Sequence, residues 1–351
     1  MEGMNCLFAC VFASILATSG AAAQPISFKG KTVTMIIGYP AGGGTDLSGR
    51  MIASVLGKHL PGEPIVVTQN MPGAEGMTSM NFLVQQAKRD GLWLTMGSGS
   101  QTDPTHYRKP QSQFDPTKFV FIGGAGRGGS ALIINTDAEK RLNAKDGEPA
   151  MMGTTSGAPR TNMQMAAWGK EFLGWNLKWV LGYRGTNELF VALDRGEVDM
   201  TTTSNVTLFT RLLASGKSKI LVQSGTLRGG VLGSRPEFGD APLLPVLLEG
   251  KIKDPLALKG YDYWLTVHSG PEKWLALPPD TPEAIANVYR EAFVRTANDP
   301  EFLERSKKLT EDFTPISFGD VDQWMRRMAQ TSPEAMEFVA AMLRRQGVKI
   351  D

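Results

Sequence analysis

The chain has 351 residues, with 37 Lys and Arg against 35 Asp and Glu, 42% apolar residues and 2 Cys. At about 150 residues per domain, this length suggests two domains with chain enough for a full core and no need of covalent staples. A formal net charge of +2 argues against a nucleic-acid or acidic-membrane partner, and 39 Gly and 21 Pro without a fixed period argue against collagen or low complexity.

Residues 1–23 read as a cleavable secretory signal. Cys6–Ala17 is nearly all apolar but shorter than the roughly twenty residues that cross a bilayer. Small residues follow, ending Ala21-Ala22-Ala23 before Gln24, which fits cleavage after Ala23. The apolar run is preceded by Glu2 and by no Lys or Arg, so Met4 offers an alternative start whose terminal amine is the positive charge. Cleavage removes both Cys6 and Cys10. A cysteine-free product suits an oxidising compartment and forbids disulfides, thiolate catalysis and thiolate metal sites.

Lys31–Gly38 is a buried strand in pattern, stopped by Pro40 and a glycine run, and Leu47, Met51, Val55 and Leu56 recur at helical spacing through Leu60. Ile65–Thr68 is the next strand, followed by a small-residue helix through Ala87 and a strand at Leu92–Met96. This alternation implies a parallel sheet with crossover helices. Phe119–Ile122 and Ala131–Ile134 flank a Gly-rich stretch, Gly123–Gly129, read as a crossing between lobes. The pattern then recurs with strands at Met151–Thr154, Leu177–Leu181, Val198–Thr201 and Lys219–Gln223, and helices at Asn162–Leu173 and Leu189–Leu193. A Pro/Gly-rich segment, residues 229–282, precedes the last helices at Pro282–Ala297, Pro300–Lys308, Asp320–Gln330 and Pro333–Gln346. The expected architecture is α/β in two lobes, 24–125 with 226–351 and 126–225, each a mainly parallel sheet flanked by helices.

Catalytic signatures are thin. His59, His106 and His268 are far apart and lack metal-ligand spacing, no G-x-S-x-G elbow occurs, and of the neighbouring Asp194, Glu197 and Asp199 the first two read as a solvated turn. No metal or cofactor is expected. The sharpest local feature is Gly42-Gly43-Gly44-Thr45-Asp46 between strand and helix. Glycines there let backbone N–H groups approach an anion beside the positive end of a helix. No G-K-[ST] ends the loop, and a carboxylate in the first turn would repel a polyphosphate, so a small carboxylate is the fitting anion if Asp46 turns away to cap the backbone. The alternative is a plain turn with Thr45 or Asp46 as N-cap. A second strand-to-helix loop, residues 154–161, is rich in hydroxyls and ends in a cation. Two such loops, one per lobe, can converge on a ligand at the carboxyl ends of the strands.

The stretch VTMIIGYPAGGGTDLSGRMIASVLGKHL, then VVTQNMPGAEG and DGLWLTMGS, resembles the solute-binding proteins of tripartite tricarboxylate transporters, the Bug family. VLGYRG (180–185), RGEVDM (195–200), LPPDTPE (277–283) and Asn298-Asp299-Pro300-Glu301 follow in the family's order. The resemblance implies a type II periplasmic-binding-protein fold with hinge crossings, at 123–129 and 223–230. Such a protein closes on a small organic carboxylate and delivers it to a membrane permease, and a monomer is the expected state. It further implies a first-lobe cradle of Tyr39, Ala41, Gly42, Gly43 and Thr45, with Asp46 bracing the loop and Ser98 adding a hydroxyl. From the second lobe it implies Thr154, Ser156, Gly157 and Thr161, then Tyr183, Arg184 and Gly185, with Asp199 lining the cleft or tying down a loop. Arg184 and Arg160 either pair with a second carboxylate or lie over the mouth as surface cations. The sequence departs from the family at Ala158-Pro159-Arg160-Thr161-Asn162, where a Gly/Ser run with a His is common, and residues 225–281 are longer than usual. Two rivals stay open: a sensor that presents the carboxylate to a receptor kinase, and an enzyme acting on an anionic substrate, for which no activated nucleophile is evident.

Overall fold

The computed structural model describes residues 25–126, 129–154, 159, 162–183, 186–204, 206–228, 231–306 and 313–349. Strands β1 (Thr32–Ile37), β2 (Ile65–Asn70), β3 (Trp93–Ser98) and β4 (Val120–Gly126) begin the chain's first sheet. The second sheet takes β5 (Ala131–Asn135), β6 (Ala150–Gly153), β7 (Leu177–Val180), β8 (Met200–Thr203) and β9 (Ser218–Gln223). A hairpin of β10 (Thr226–Arg228) and β11 (Val231–Gly233) follows, and β12 (Lys273–Leu277) and β13 (Thr314–Ser317) return to the first sheet.

The first sheet has the order β13-β4-β12-β3-β1-β2 and the second β7-β6-β8-β5-β9. Both are mixed rather than mainly parallel. β1 runs parallel to β2 and β3, whereas β12 is antiparallel to β3 and β4, and β13 to β4. In the second sheet β6 is parallel to β7 and β8, while β5 is antiparallel to β8 and β9. In the first sheet β12 and β13 run against the other four strands, and in the second β5 alone runs against the other four.

The inner strands β1, β3, β4 and β12 are largely buried on both faces, which is why they read as apolar runs, whereas the edge strands β2 and β13 alternate between half-buried and exposed residues. One face packs Val33, Met35, Ile37, Met96 and Leu275 against helices Gly44–His59 and Glu283–Ala297. The other packs Ile36, Phe121 and Trp274 against helices Met77–Gln85 and Phe318–Ala329. Gly97 shows how tight this layer is: a Cβ there would lie 2.2 Å from the Trp274 ring. Gly97→Ala is therefore expected to cost about 2 kcal/mol through overpacking, read as a lower denaturant midpoint at unchanged slope.

Residues after 226, expected with the first lobe, divide between two cores. Phe238, Leu244, Leu248, Trp264, Met342 and Leu343 join the cluster of Ile133, Met152, Trp168 and Met200 under the second sheet. Helices Pro255–Ser269 and Pro333–Arg345 pack on each other there. The Gly-rich crossing is also shorter than the sequence suggests, since Gly123, Gly124 and Gly126 are still strand. The chain does not return to the first sheet at 223–230. It stays with the second core through helix Pro255–Ser269 and enters β12 at Lys273. No helix among the described residues is long and apolar enough to cross a membrane.

Candidate functional site

The short link from β4 to β5 joins the two sheets at the edges where most of their strands end. Because β4 finishes at Gly126 and β5 starts at Ala131, the carboxyl edge carrying Gly38, Asn70 and Ser98 is linked to the edge carrying Thr154, Ser204 and Gln223. The link is pinned where it meets the second sheet: Ser130 N–H donates to Ser224 Oγ at 2.9 Å, and Ser224 N–H donates to the Ser130 carbonyl at 2.9 Å. Buried Arg235 adds to this, donating to the Ser204 carbonyl at 2.8 Å and the Gly129 carbonyl at 3.4 Å.

On the first sheet the glycine loop is built around Asp46. Its carboxylate accepts from Gly42 N–H at 2.8 Å, from Asn70 Nδ2 at 2.8 Å and from Arg50 Nε at 2.9 Å. Gly42 holds φ +84, a left-handed conformation that needs glycine. Burial pushes the Asp46 carboxyl up, but the bonds from Arg50, Gly42 and Asn70 together outweigh it and hold it below its ordinary value. The helix N-cap is Gly43, without a side-chain cap, so neither Thr45 nor Asp46 caps it. Thr45 lies buried in the first turn, while Ala41, Gly42 and Gly43 are exposed. The first-turn N–H groups have no intrahelical partner and are free of a capping side chain, the arrangement that receives an anion.

Next to the loop, Tyr39 Oη lies 2.6 Å from Ser98 Oγ and donates to the Glu75 carbonyl at 3.1 Å. Ser98 N–H donates to Gln101 Oε1 at 2.8 Å, and Trp274 Nε1 donates to the Ser98 carbonyl at 2.9 Å. The structure thus brings Tyr39, the glycine loop, Asp46 and Ser98 together. Asn70, Gln101 and the Glu75 carbonyl complete the group and were not singled out from the sequence. Asn70 had a local signal, standing at a strand end before Met71-Pro72-Gly73.

On the second sheet, buried Thr154 accepts from Tyr183 N–H at 3.1 Å, so these two predicted residues share the carboxyl edge. Burial first, then the charges of Glu197 and Glu188, pushes the Tyr183 hydroxyl up. Ser156, Gly157, Arg160, Thr161, Arg184 and Gly185 lie outside the described residues. Asp199 is not at that edge. It precedes β8 at the opposite end, where its carboxylate accepts from Met151 N–H and Arg141 Nη2, both at 2.7 Å, and ties β6 to the Glu139–Leu142 turn. Of the two roles expected of it, the cleft-lining one is corrected, for a topological reason: strand direction sends the residue before β8 away from the linked edges. Buried hydroxyls of Thr202, Thr203 and Ser204 stand nearer the edge, in a Thr-Thr-Thr-Ser run that the sequence reading passed over. Among the described residues, no group of three or more His, Cys, Asp or Glu could hold a metal ion.

No family model matches the chain. The UPF0065 protein in the gbd 5′ region of Cupriavidus necator is 35% identical over 106 residues, 29% of this chain and 30% of its own. BugT of Bordetella pertussis is 37% identical over 93 residues, 26% of this chain and 27% of its own. The matches therefore span less than a third of these curated relatives. Among solved structures, a ligand-free TctC solute-binding protein from Polaromonas has a TM-score of 0.67 at 19% identity, covering 91% of this chain and 100% of its own. The periplasmic binding protein BugD has a TM-score of 0.50 at 21% identity, covering 91% and 98%. An R. palustris protein with adipate has a TM-score of 0.52 at 18% identity, covering 90% and 97%. The structural likenesses carry the fold, and the local sequence matches make about a quarter of this chain similar to Bug-type relatives.

Proposed function

We propose that the protein is a periplasmic solute-binding protein that captures a small organic carboxylate between its lobes and delivers it, chemically unchanged, to a tripartite tricarboxylate-type permease. One observation carries the reading: the loop-bearing carboxyl edges of the two sheets are joined by the short β4–β5 link, with the glycine loop on one and Thr154 and Tyr183 on the other. Neutral donors of this kind, backbone N–H and hydroxyl, suit the oxygens of a carboxylate. The adipate of the R. palustris protein supports that ligand class.

In this reading residues 1–23 are a signal removed after Ala23, and the product works as a monomer. The first lobe is built on residues 25–126 with β12, β13 and the helices beside them. The second is built on residues 129–225, extended by the two long helices that pack on its core. Closure about the link is favoured by a ligand only as far as that ligand binds the closed form better than the open one. A thermal-shift screen over organic acids tests the reading, because a ligand present at about a hundred times its Kd stabilises the folded state by about 2.7 kcal/mol. At least one carboxylate should raise the melting temperature by a few degrees and be recovered intact after long incubation. A panel that shifts nothing, or an acid recovered as product, rejects the proposal.

A further inference from the structure

We propose that Lys273 is the charged anchor of the cleft, pairing with a second carboxylate of the ligand and giving the site a preference for diacids over monoacids. The inference rests on the carboxylate reading above and names the residue that selects within that class. Lys273 opens β12, opposite Ser98 of β3 on one side and Ala125 of β4 on the other. Directly opposed residues of an antiparallel pair point to the same face, so the lysine stem leaves the sheet beside the Ser98 hydroxyl. Asn70 at the end of β2, Tyr39 two residues past β1, Ser98 at the end of β3 and Lys273 at the start of β12 thus form a row along one edge of the sheet, linked by Asn70 Nδ2 to the Tyr39 carbonyl and by Tyr39 Oη to Ser98 Oγ. The first three are neutral. Lys273 puts a cation at the end of the row.

Its surroundings give no packing reason for that cation. The rest of β12, Trp274, Leu275, Ala276 and Leu277, is apolar and fully buried. The Lys273 side chain is itself only 10% exposed, yet among the described residues its sole acceptor is Glu272 Oε1, at 3.1 Å. An ammonium carries three donors, and a lysine this buried is uncommon unless it is fully paired. The position is also rigid. Trp274 Nε1 holds the Ser98 carbonyl, and Gly99 N–H donates to the Glu272 carbonyl at 3.2 Å, so the segment before β12 is tied to the end of β3. A ligand carboxylate arriving beside Ser98 would take up the lysine's unused donors and share it with Glu272. The glycine loop, with its neutral donors, would hold the other carboxylate.

Calorimetric titration near neutral pH with succinate, glutarate, adipate and pimelate, against butyrate and hexanoate, tests this on the wild type and on Lys273→Met, Lys273→Gln and Lys273→Arg. The wild type should prefer a diacid. Lys273→Met and Lys273→Gln should weaken that diacid by roughly ten- to a hundredfold and bring it level with the matching monoacid, whereas Lys273→Arg should keep the preference. If the Met variant does not fold, the Gln variant, which keeps a polar group and loses only the charge, decides in the same way. Diacid affinity unchanged in the Met or Gln variant overturns the anchor while leaving the carboxylate reading standing. A wild type that binds no acid in the panel overturns that reading, and the anchor with it.

Discussion

Asp46→Ala is expected to lower stability by about 3 kcal/mol and to weaken carboxylate binding at least tenfold. The carboxylate is 1% exposed, and two of its three partners have no easy substitute. Without it the Gly42 N–H loses its acceptor, and Asn70 Nδ2 keeps only the Tyr39 carbonyl. Hydrogen bonds to a charged acceptor are worth about 1.5–3 kcal/mol each, more when a partner is left buried and unpaired. Arg50 adds little to this sum, because its side chain is 47% exposed and can turn to water. The binding loss follows from the proposed function: the same bonds hold Gly42 in its left-handed conformation, in the loop proposed to receive the carboxylate. Asp46→Asn keeps one acceptor oxygen and should lose about half as much. Urea unfolding and a titration with the best acid of the thermal screen measure both effects. An Ala variant within about 0.5 kcal/mol of wild type and with unaltered affinity would show that the loop holds itself.

The half of the candidate site on the first sheet was legible because its signals are local. Alternating β-branched and apolar residues end in a glycine run, and a carboxylate stands one turn into the helix; each feature lies within fifteen residues of the next. What sequence order could not supply was direction and distance. The helix seemed open to capping by Thr45 or Asp46, but Asp46 is drawn back to Gly42 and across to Asn70, a residue 24 positions away. Asp199, after a Gly-x-Val run, left two roles open, lining the cleft or tying down a loop, and strand direction puts it at the far end of β8, bonded to Met151 N–H and Arg141. The central strand β12 was hidden in a Pro/Gly-rich stretch: six residues between Pro271 and Pro278 are too few to show a period, and only the partners β3 and β4 make five of them a strand. Lys273 was invisible for the same reason, since a lysine becomes a candidate only once its neighbours are known.

The helix that carries the chain back to the first sheet holds the second large effect: stability should fall by roughly 3 kcal/mol as pH drops from about 6.5 to about 4, and His268→Phe should abolish most of that fall. His268 is half-buried near the end of helix Pro255–Ser269, stacked on Trp264 with ring centroids 5.4 Å apart, and its buried Nε2 has no partner among the described residues. Burial pushes its imidazole down to about 4 from an ordinary value near 6.5. Above pH 6.5 the folded and unfolded chains both carry neutral imidazole, and the group costs nothing. Below it the unfolded chain takes up a proton that the folded chain refuses until about pH 4, so the native state loses ground across this window. At 1.36 kcal/mol per unit, the span gives the stated magnitude. Asp46, held below its ordinary value, adds its own loss only at more acid pH, which separates the two effects. Phenylalanine preserves the stack on Trp264 and removes both the titration and the unpartnered nitrogen, so the variant should equal or exceed wild type at pH 4.5 while differing little at pH 7.5. Denaturant midpoints followed by tryptophan fluorescence at the two pH values decide it. Equal pH slopes in wild type and variant would mean that the buried imidazole finds a way to charge without opening the second core.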